Sequence, residues 1–357
     1  MKKCLFLILS ILCSFTMSAE VSKTVNVEEA GTLKFLLGDD YLTITNLTVS
    51  GNLNGDDVIT LRAMCGRDYS EASTGSGSLA VLDMRDANIV AGGSAYAGNK
   101  YSTKTTEDNA IGVAMFRDCV TLKEFYAPKT ITKVGKAAFS GCTKLTKMIL
   151  PAGVTEFGEW AFMNTSSMTE LELPTALKSI GEGCFSGNGM AKVVIPDLVE
   201  YIPYYTYQKM PNLETIVIGA KMGTLSYSAF QHDGEYVTDI YIYYTASILG
   251  GDYQCMFDGY YGQDGKTVME LTDEDLSYIT VHVPAALVSA YKSSSKWKKF
   301  NIVALNDVET GINGVETNNG KSVVARYNLN GVKISTPQKG INLLKMSDGT
   351  VKKEIVK

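Results

Sequence analysis

A chain of 357 residues with 45% hydrophobic and 20% charged side chains carries enough apolar residues for a long core, which excludes a disordered polymer. A formal net charge of −5, with no evident basic face, excludes a nucleic-acid partner held by its phosphates. Two histidines, and the absence of H-E-x-x-H, G-x-S-x-G, G-x-x-x-x-G-K-[ST] and C-x-x-C, argue against catalysis, a bound cofactor or a metal centre.

Residues 1–19, MKKCLFLILSILCSFTMSA, read as a secretory signal peptide. Lys2 and Lys3 form the basic region, the apolar run from Leu5 to Cys13 falls short of the roughly 20 residues a membrane-spanning helix needs, and the small Ser18 and Ala19 precede the cleavage point. No later stretch has the length and apolarity of a transmembrane segment, so the reading is an exported protein, secreted or attached at the outer surface. Beyond the leader stand Cys65, Cys119, Cys142, Cys184 and Cys255, an odd number that argues against a disulfide framework.

Residues 20–111 read as an N-terminal cap and diverged first repeats with loop insertions. AGTLKFLLGD (30–39) suits a helical turn, LTITNLTVSG (42–51) alternates as a strand does, and GDDVITLRAM (55–64) suits a helix entered through Asp56 or Asp57. GRDYSEASTGSGS (66–78) is a glycine and serine loop, LAVLDM (79–84) a coil strand, and AGGSAYAGNKYSTKTTEDNA (91–110) a second polar loop.

From Phe116 the chain repeats itself. Three segments, 116–138, 139–161 and 162–184, align without a gap at a period of 23 residues. The next, from Phe185, is one residue short, and a fifth runs from Tyr207 to the return at Phe230. Such a period marks a solenoid, whose units bury their apolar sides by stacking on each other. Within a unit, Leu145, Met148 and Leu150 have the spacing of a short strand with one face inward, and Pro151 ends it, in register with Pro128, Pro174 and Pro196. Gly135, Gly158 and Gly181 are expected to permit a tight bend, after which an Ala-Phe pair closes the coil. The fold class expected is an α/β solenoid with a parallel sheet on one face, short turns or helices on the other, and a small β tail. Cys119 and Cys142 share one inner slot with Thr165 and Asn188, which suits either small buried side chains or a bridge between adjacent coils.

These slots, and above all GKAAFSGCTKLTKMILPAGVTEFGEWAF (135–162), resemble the BspA-like, or treponemal-type, leucine-rich repeat proteins of Bacteroidales and related bacteria. The resemblance covers roughly 42–305, strongly at 112–230 and weakly at its ends, with 112–305 as repeats and C-terminal cap, and it implies adhesion or contact with host or matrix. In that cap VTDIYI (237–242) and YITVHVP (278–284) read as strands, 250–276 as an insertion, AALVSAYKSSSKWKKF (285–300) as a helix covering the open end with Trp297 and Phe300, and NIVAL as a last strand. Residues 306–323 form a linker. Residues 324–357 read as three short strands; Tyr327, Leu329, Gly331, Lys339, Gly340, Lys353 and Lys357 make this tail similar to the sorting domains of type IX secretion, with a plain β module as the alternative.

Candidate function lies in the outward strand positions, which form columns across the sheet. One column, Glu124, Lys147, Glu170, Lys192, Thr215 and Asp239, alternates in charge and reads as ion pairing between coils. Its neighbour, Tyr126, Ile149, Glu172, Val194, Val217 and Tyr241, is largely apolar and is the candidate binding stripe for a protein or glycan partner on a host, matrix or another cell; strand propensity is the other explanation. Tyrosines in 201–207, 241–244 and 259–261 add amphipathic contact area. A structural component of the cell envelope is the alternative function. A glycan-active enzyme would have to use Glu170 and Glu172. His282 is expected to face outward without a role, His232 sits in a turn, and Asp252, Asp258 and Asp264 read as a solvated acidic loop.

Overall fold

The structure is a computed structural model that describes residues 20–99, 102–226, 228–231, 237–247, 250–251, 260–261, 268–269, 272–295, 297–305, 323–328, 333–334, 340–346 and 351–356. Residues 1–19, expected as a signal peptide, residues 306–322 of the expected 306–323 linker, His232 and the acidic residues Asp252, Asp258 and Asp264 lie outside the described residues. The chain divides into two units, Met1–Ala304 and Leu305–Lys357.

The first unit is a solenoid. All regular coils but the third contribute a strand of three or four residues to a parallel front face, because Lys147–Met148–Ile149 and its equivalents alternate outward, inward, outward. A second, two-residue strand per coil builds a parallel back sheet: Ala110–Ile111, Lys133–Val134, Glu156–Phe157 and Ser179–Ile180, then Tyr201–Ile202, Thr224–Leu225 and Gly250–Gly251. Between the sheets runs a column of aromatic rings, Phe116, Phe139, Phe162, Phe185, Tyr207 and Phe230, each buried and stacked on the next at centroid distances of 5.1–5.8 Å. The 23-residue period thus puts the same ring above itself once per coil, and the offset stack supplies both apolar burial and ring–ring attraction.

The front sheet is not continuous. One part orders Ser22–Val27, Asn46–Leu53, Val81–Asp83, Glu124–Tyr126 and Lys147–Ile149; the other orders Lys192–Ile195, Thr215–Ile218, Asp239–Ile242, Thr280–Val283 and Asn301–Ala304. The third repeat's Glu170–Leu173 joins neither, and Leu171 and Leu173 are only half-buried. The interruption falls beside the coil that is one residue short. The missing residue lies in the turn between Asn188 and Met190, where Gly189 packs so closely on the Ser166 and Met168 carbonyls that a β-carbon would collide with them. The burial of Glu170–Leu173 keeps the phase of Lys192–Ile195, with Leu171 and Leu173 on the inner side as Val193 and Ile195 are.

The glycine column has a different cause from the expected bend. Gly135, Gly158 and Gly181 are absent from the left-handed region. They are required because adjacent coils touch: a β-carbon on Gly158 would lie 2.5 Å from the Lys136 nitrogen. The left-handed positions are elsewhere and recur twice per coil. One set is Asp118, Gly141, Asn164, Gly187 and Lys209, two residues after each ring; the other is Ala114, Ala137, Trp160, Gly183, Tyr205 and Ser228.

The N-terminal cap contains a strand, Ser22–Val27, that the sequence pattern did not suggest, since its residues alternate weakly and only Val27 is buried. The helix Gly55–Met64 is entered through Asn54 rather than an aspartate; Asn54 and Asp57 form a reciprocal capping box. Arg62 on this helix is buried, and its guanidinium donates to the Ala114 and Met115 carbonyls at 2.9 and 3.2 Å, tying the cap to the first regular coil. The expected polar loop at 91–110 is an antiparallel hairpin, Gly92–Asn99 with Ser102–Thr106. Its Tyr96 is buried and donates to the Val113 carbonyl at 2.6 Å, so one aromatic anchors an otherwise polar segment.

At the other end the expected 285–300 helix is shorter: a 3-10 turn, Ala285–Leu287, leads into Val288–Ser293. The run Ser293–Ser295 does not sustain a helix, and Trp297 and Phe300 reach the core from the turn that follows. Cys65, Cys119, Cys142 and Cys184 are free and buried; no bridge joins Cys119 to Cys142, whose Sγ instead donates to the Phe116 carbonyl at 3.0 Å. The second unit is a four-stranded antiparallel sheet, with Val323–Asn328 between Lys333–Ile334 and Gly340–Met346, and Val351–Val356 at the edge. It has one strand more than expected.

Candidate functional site

The six stripe residues have three different fates. Ile149 and Val194 are exposed, at 47% and 37%, and stand on either side of the interruption. Glu172 is also exposed, but it lies in the segment that joins neither sheet, so the column is broken there. Tyr126 is half-buried and already engaged. Its ring lies between the Arg85 guanidinium and the Lys147 ammonium, 4.9 and 5.0 Å from the centroid, and its hydroxyl donates to Glu124 at 2.7 Å and accepts from Lys147 at 2.8 Å. Arg85 in turn grips Asp83 through two oxygens and holds that carboxyl below the usual carboxylate range, while the Tyr126 hydroxyl, followed by Glu124, raises Lys147. Two cations on the ring and two hydrogen bonds at the hydroxyl leave Tyr126 engaged by its own chain.

Val217 is contrary to expectation buried, at 5% exposure. It is paired in register between Val194 and Tyr241, and a small branched side chain between two neighbours of the same column is covered by them. Tyr241 is half-buried because the His282 ring stacks on it, with centroids 4.2 Å apart and planes within 9°. His282 faces outward as expected and is nevertheless enclosed, at 8% exposure, with Nε2 2.9 Å from Asp239 Oδ1. Tyr241, His282 and Asp239 therefore form one packed cluster on the strand face. Of the six stripe residues, Ile149, Glu172 and Val194 remain exposed, with half-buried Leu171 and Leu173 next to Glu172 in the chain.

The charge column pairs less than its alternation implies. Lys147 and Glu124 meet at 3.5 Å, an exposed pair worth a few tenths of a kcal/mol. Other inter-coil pairs are on the back of the coil, Lys133 with Glu156 at 3.7 Å and Lys136 with Glu159 at 2.5 Å. Glu170 and Glu172 are exposed on the irregular segment, which gives them no cleft to share. Among the described residues no cluster of His, Cys, Asp or Glu could hold a metal ion, and no helix is long and apolar enough to cross a membrane.

A second exposed group joins tyrosines of the 201–207 cluster to Trp160, which sequence reasoning missed. Trp160, Tyr201, Tyr204 and Tyr205 are 37–47% exposed on the back face, Trp160 two coils before the tyrosines. Trp160 and Tyr205 occupy one of the left-handed slots, with φ of 56° and 57°, where the other coils carry Ala114, Ala137, Gly183 and Ser228. A bulky side chain in that region costs on the order of 1–3 kcal/mol. The signal available in the sequence was the slot itself: aligned repeats show small residues there and two large aromatics.

Residues 109–235 match the family model described as BspA type leucine rich repeat region, in six copies. Among solved structures the chain is similar to a leucine-rich repeat protein of T. pallidum, at 24% identity over 40% of this chain and 65% of that one, with a TM-score of 0.36. It is also similar to a leucine-rich repeat protein from Bacteroides ovatus, at 22% identity over 51% and 49% with a TM-score of 0.31. A third likeness is to a leucine rich cell surface protein from Faecalibacterium prausnitzii, at 15% identity over 73% and 79% with a TM-score of 0.31. The chain thus spans less than two thirds of the length of the first two. A search of curated proteins finds no match. The 23-residue repeat and the stacked ring column fall in the stretch, residues 109–235, that matches the BspA type leucine rich repeat model.

Proposed function

We propose that the chain is an exported, non-catalytic leucine-rich repeat protein that holds a macromolecular partner, a protein or glycan on a host, matrix or another cell, through its strand face. The observation that carries the reading is the exposure of Ile149 and Val194 on either side of the interrupted sheet, while the rest of the apolar stripe is covered or engaged. Exposed apolar side chains flanking half-buried Leu171 and Leu173 offer a contact area that the fold itself does not use. The tail 324–357 acts in this reading as the signal that delivers the chain to the surface, supported by its residue pattern.

The test is the purified chain against immobilised mucin, matrix proteins and intact cells, compared with Ile149→Ser/Val194→Ser. Binding is expected to fall at least tenfold with thermal unfolding unchanged. Binding that survives the double substitution removes the strand face from the proposal, and blanks on every surface favour a structural component of the envelope. Localising the chain with and without 306–357 tests the tail: retention at the surface without it defeats the sorting role.

A further inference from the structure

The back-face aromatics are placed where the fold asks for small residues. The left-handed slot accepts Ala, Gly or Ser in four coils, so Trp160 and Tyr205 gain nothing from it, and their exposure of 37% and 38% means that core packing does not repay the strain. The slot is also a hydrogen-bonded ladder: the Trp160 nitrogen donates to the Glu182 carbonyl at 2.8 Å, Gly183 to Tyr204 at 3.1 Å and Tyr205 to Ser228 at 3.2 Å. Trp160, Gly183 and Tyr205 are therefore held in successive coils about 4.8 Å apart. The indole edge lies across Gly183, in the space a β-carbon there would fill. Lys136 covers the indole at 4.4 Å from the ring and pairs with Glu159, and Tyr204 stands 6.3 Å from Tyr205, ring to ring.

We infer that Trp160, Tyr204 and Tyr205 form a ledge that binds an uncharged glycan chain. Three features select this occupant. Rings are set out along the solenoid with Glu182 on the coil between Trp160 and Tyr205 and Glu159 beside Trp160, instead of merging into one apolar patch as a protein anchor does. A sugar ring presents an apolar face of C–H groups to an aromatic ring and hydroxyls at its rim to carboxylates, which suits that mixture. Charge at the ledge is balanced within the chain, Lys136 against Glu159, leaving no excess of cations for a polyanion. The ledge is on the opposite side of each coil from the strand face and does not depend on it.

Intrinsic fluorescence can read the ledge directly, because the chain has two tryptophans and Trp297 is fully buried, so an exposed indole signal belongs to Trp160. The full chain is titrated with neutral polysaccharides (xyloglucan, galactomannan and mixed-linkage β-glucan) and run in gels containing each. One of them is expected to shift the emission and retard the protein. Tyr205→Gly is expected to weaken the fluorescence response at least tenfold, and Trp160→Gly to abolish retardation; because Gly183 already fills the slot, both variants should unfold at the same or a higher temperature. No response to any neutral polysaccharide, unaltered binding by both glycine variants, or a response to heparin or to a protein alone would overturn the inference.

Discussion

The side-chain amide of Asn188 donates to the Thr165 hydroxyl at 2.6 Å, with both residues fully buried in the slot that the preceding coils fill with Cys119 and Cys142. The hydroxyl passes the bond on to the Phe162 carbonyl at 2.8 Å, and the Asn188 oxygen accepts from the Met190 nitrogen at 3.0 Å. One amide thus satisfies the turn that lost a residue. Asn188→Ala leaves the Thr165 hydroxyl and the Met190 nitrogen short of a buried partner, and is expected to cost about 2–3 kcal/mol. Denaturant midpoints of Asn188→Ala, Thr165→Val and the double variant check it: strong coupling between the two is expected, and additive losses would break the link.

Tyr207 takes the place of phenylalanine in the ring column, but among the described residues its buried hydroxyl has no hydrogen-bond partner. Burial accordingly pushes the phenol well above its usual range. Removing a desolvated hydroxyl from an apolar site relieves its penalty, so Tyr207→Phe is expected to stabilise by about 1–2 kcal/mol. A lowered melting temperature would show that the hydroxyl is satisfied.

Two glycines of one repeat separate close approach from simple flexibility. Gly158→Ala drives a β-carbon into the backbone of the previous coil at Lys136, and is expected to destabilise by about 1–3 kcal/mol or more. Gly153 has open space at the same position, so Gly153→Ala should be neutral within about 0.5 kcal/mol. Comparable melting temperatures for the two variants would contradict the packing account.

The Arg85 guanidinium holds Asp83 below the usual carboxylate range. Its sign follows from linkage: stability from this contact is complete above the unfolded carboxylate value and is lost as pH falls through the lower folded value. Arg85→Met should return Asp83 toward the ordinary range and flatten that part of the acid limb. Carbon-detected titration of the aspartate carboxyls reports the change, and an unmoved Asp83 would assign the shift elsewhere.

How far the chain could be read before its structure depends on whether a property is periodic. The recurrence of Phe139, Leu145, Met148 and Phe162 every 23 residues determined the solenoid, the inward faces and the stacked rings, because a repeated apolar slot has one way to be buried. Position within a slot could not be converted into exposure. Val217 and Val194 are the same residue type in the same column, yet Tyr241 and its stacked His282 cover one and the irregular third coil leaves the other open. Nor did the sequence announce that Glu170–Leu173 would join neither part of the front sheet, since pairing depends on both neighbours at once. Left-handed backbone at Trp160 and Tyr205 was equally hidden: φ is imposed by the ladder between coils, and only that tertiary constraint separates two strained surface aromatics from ordinary loop residues.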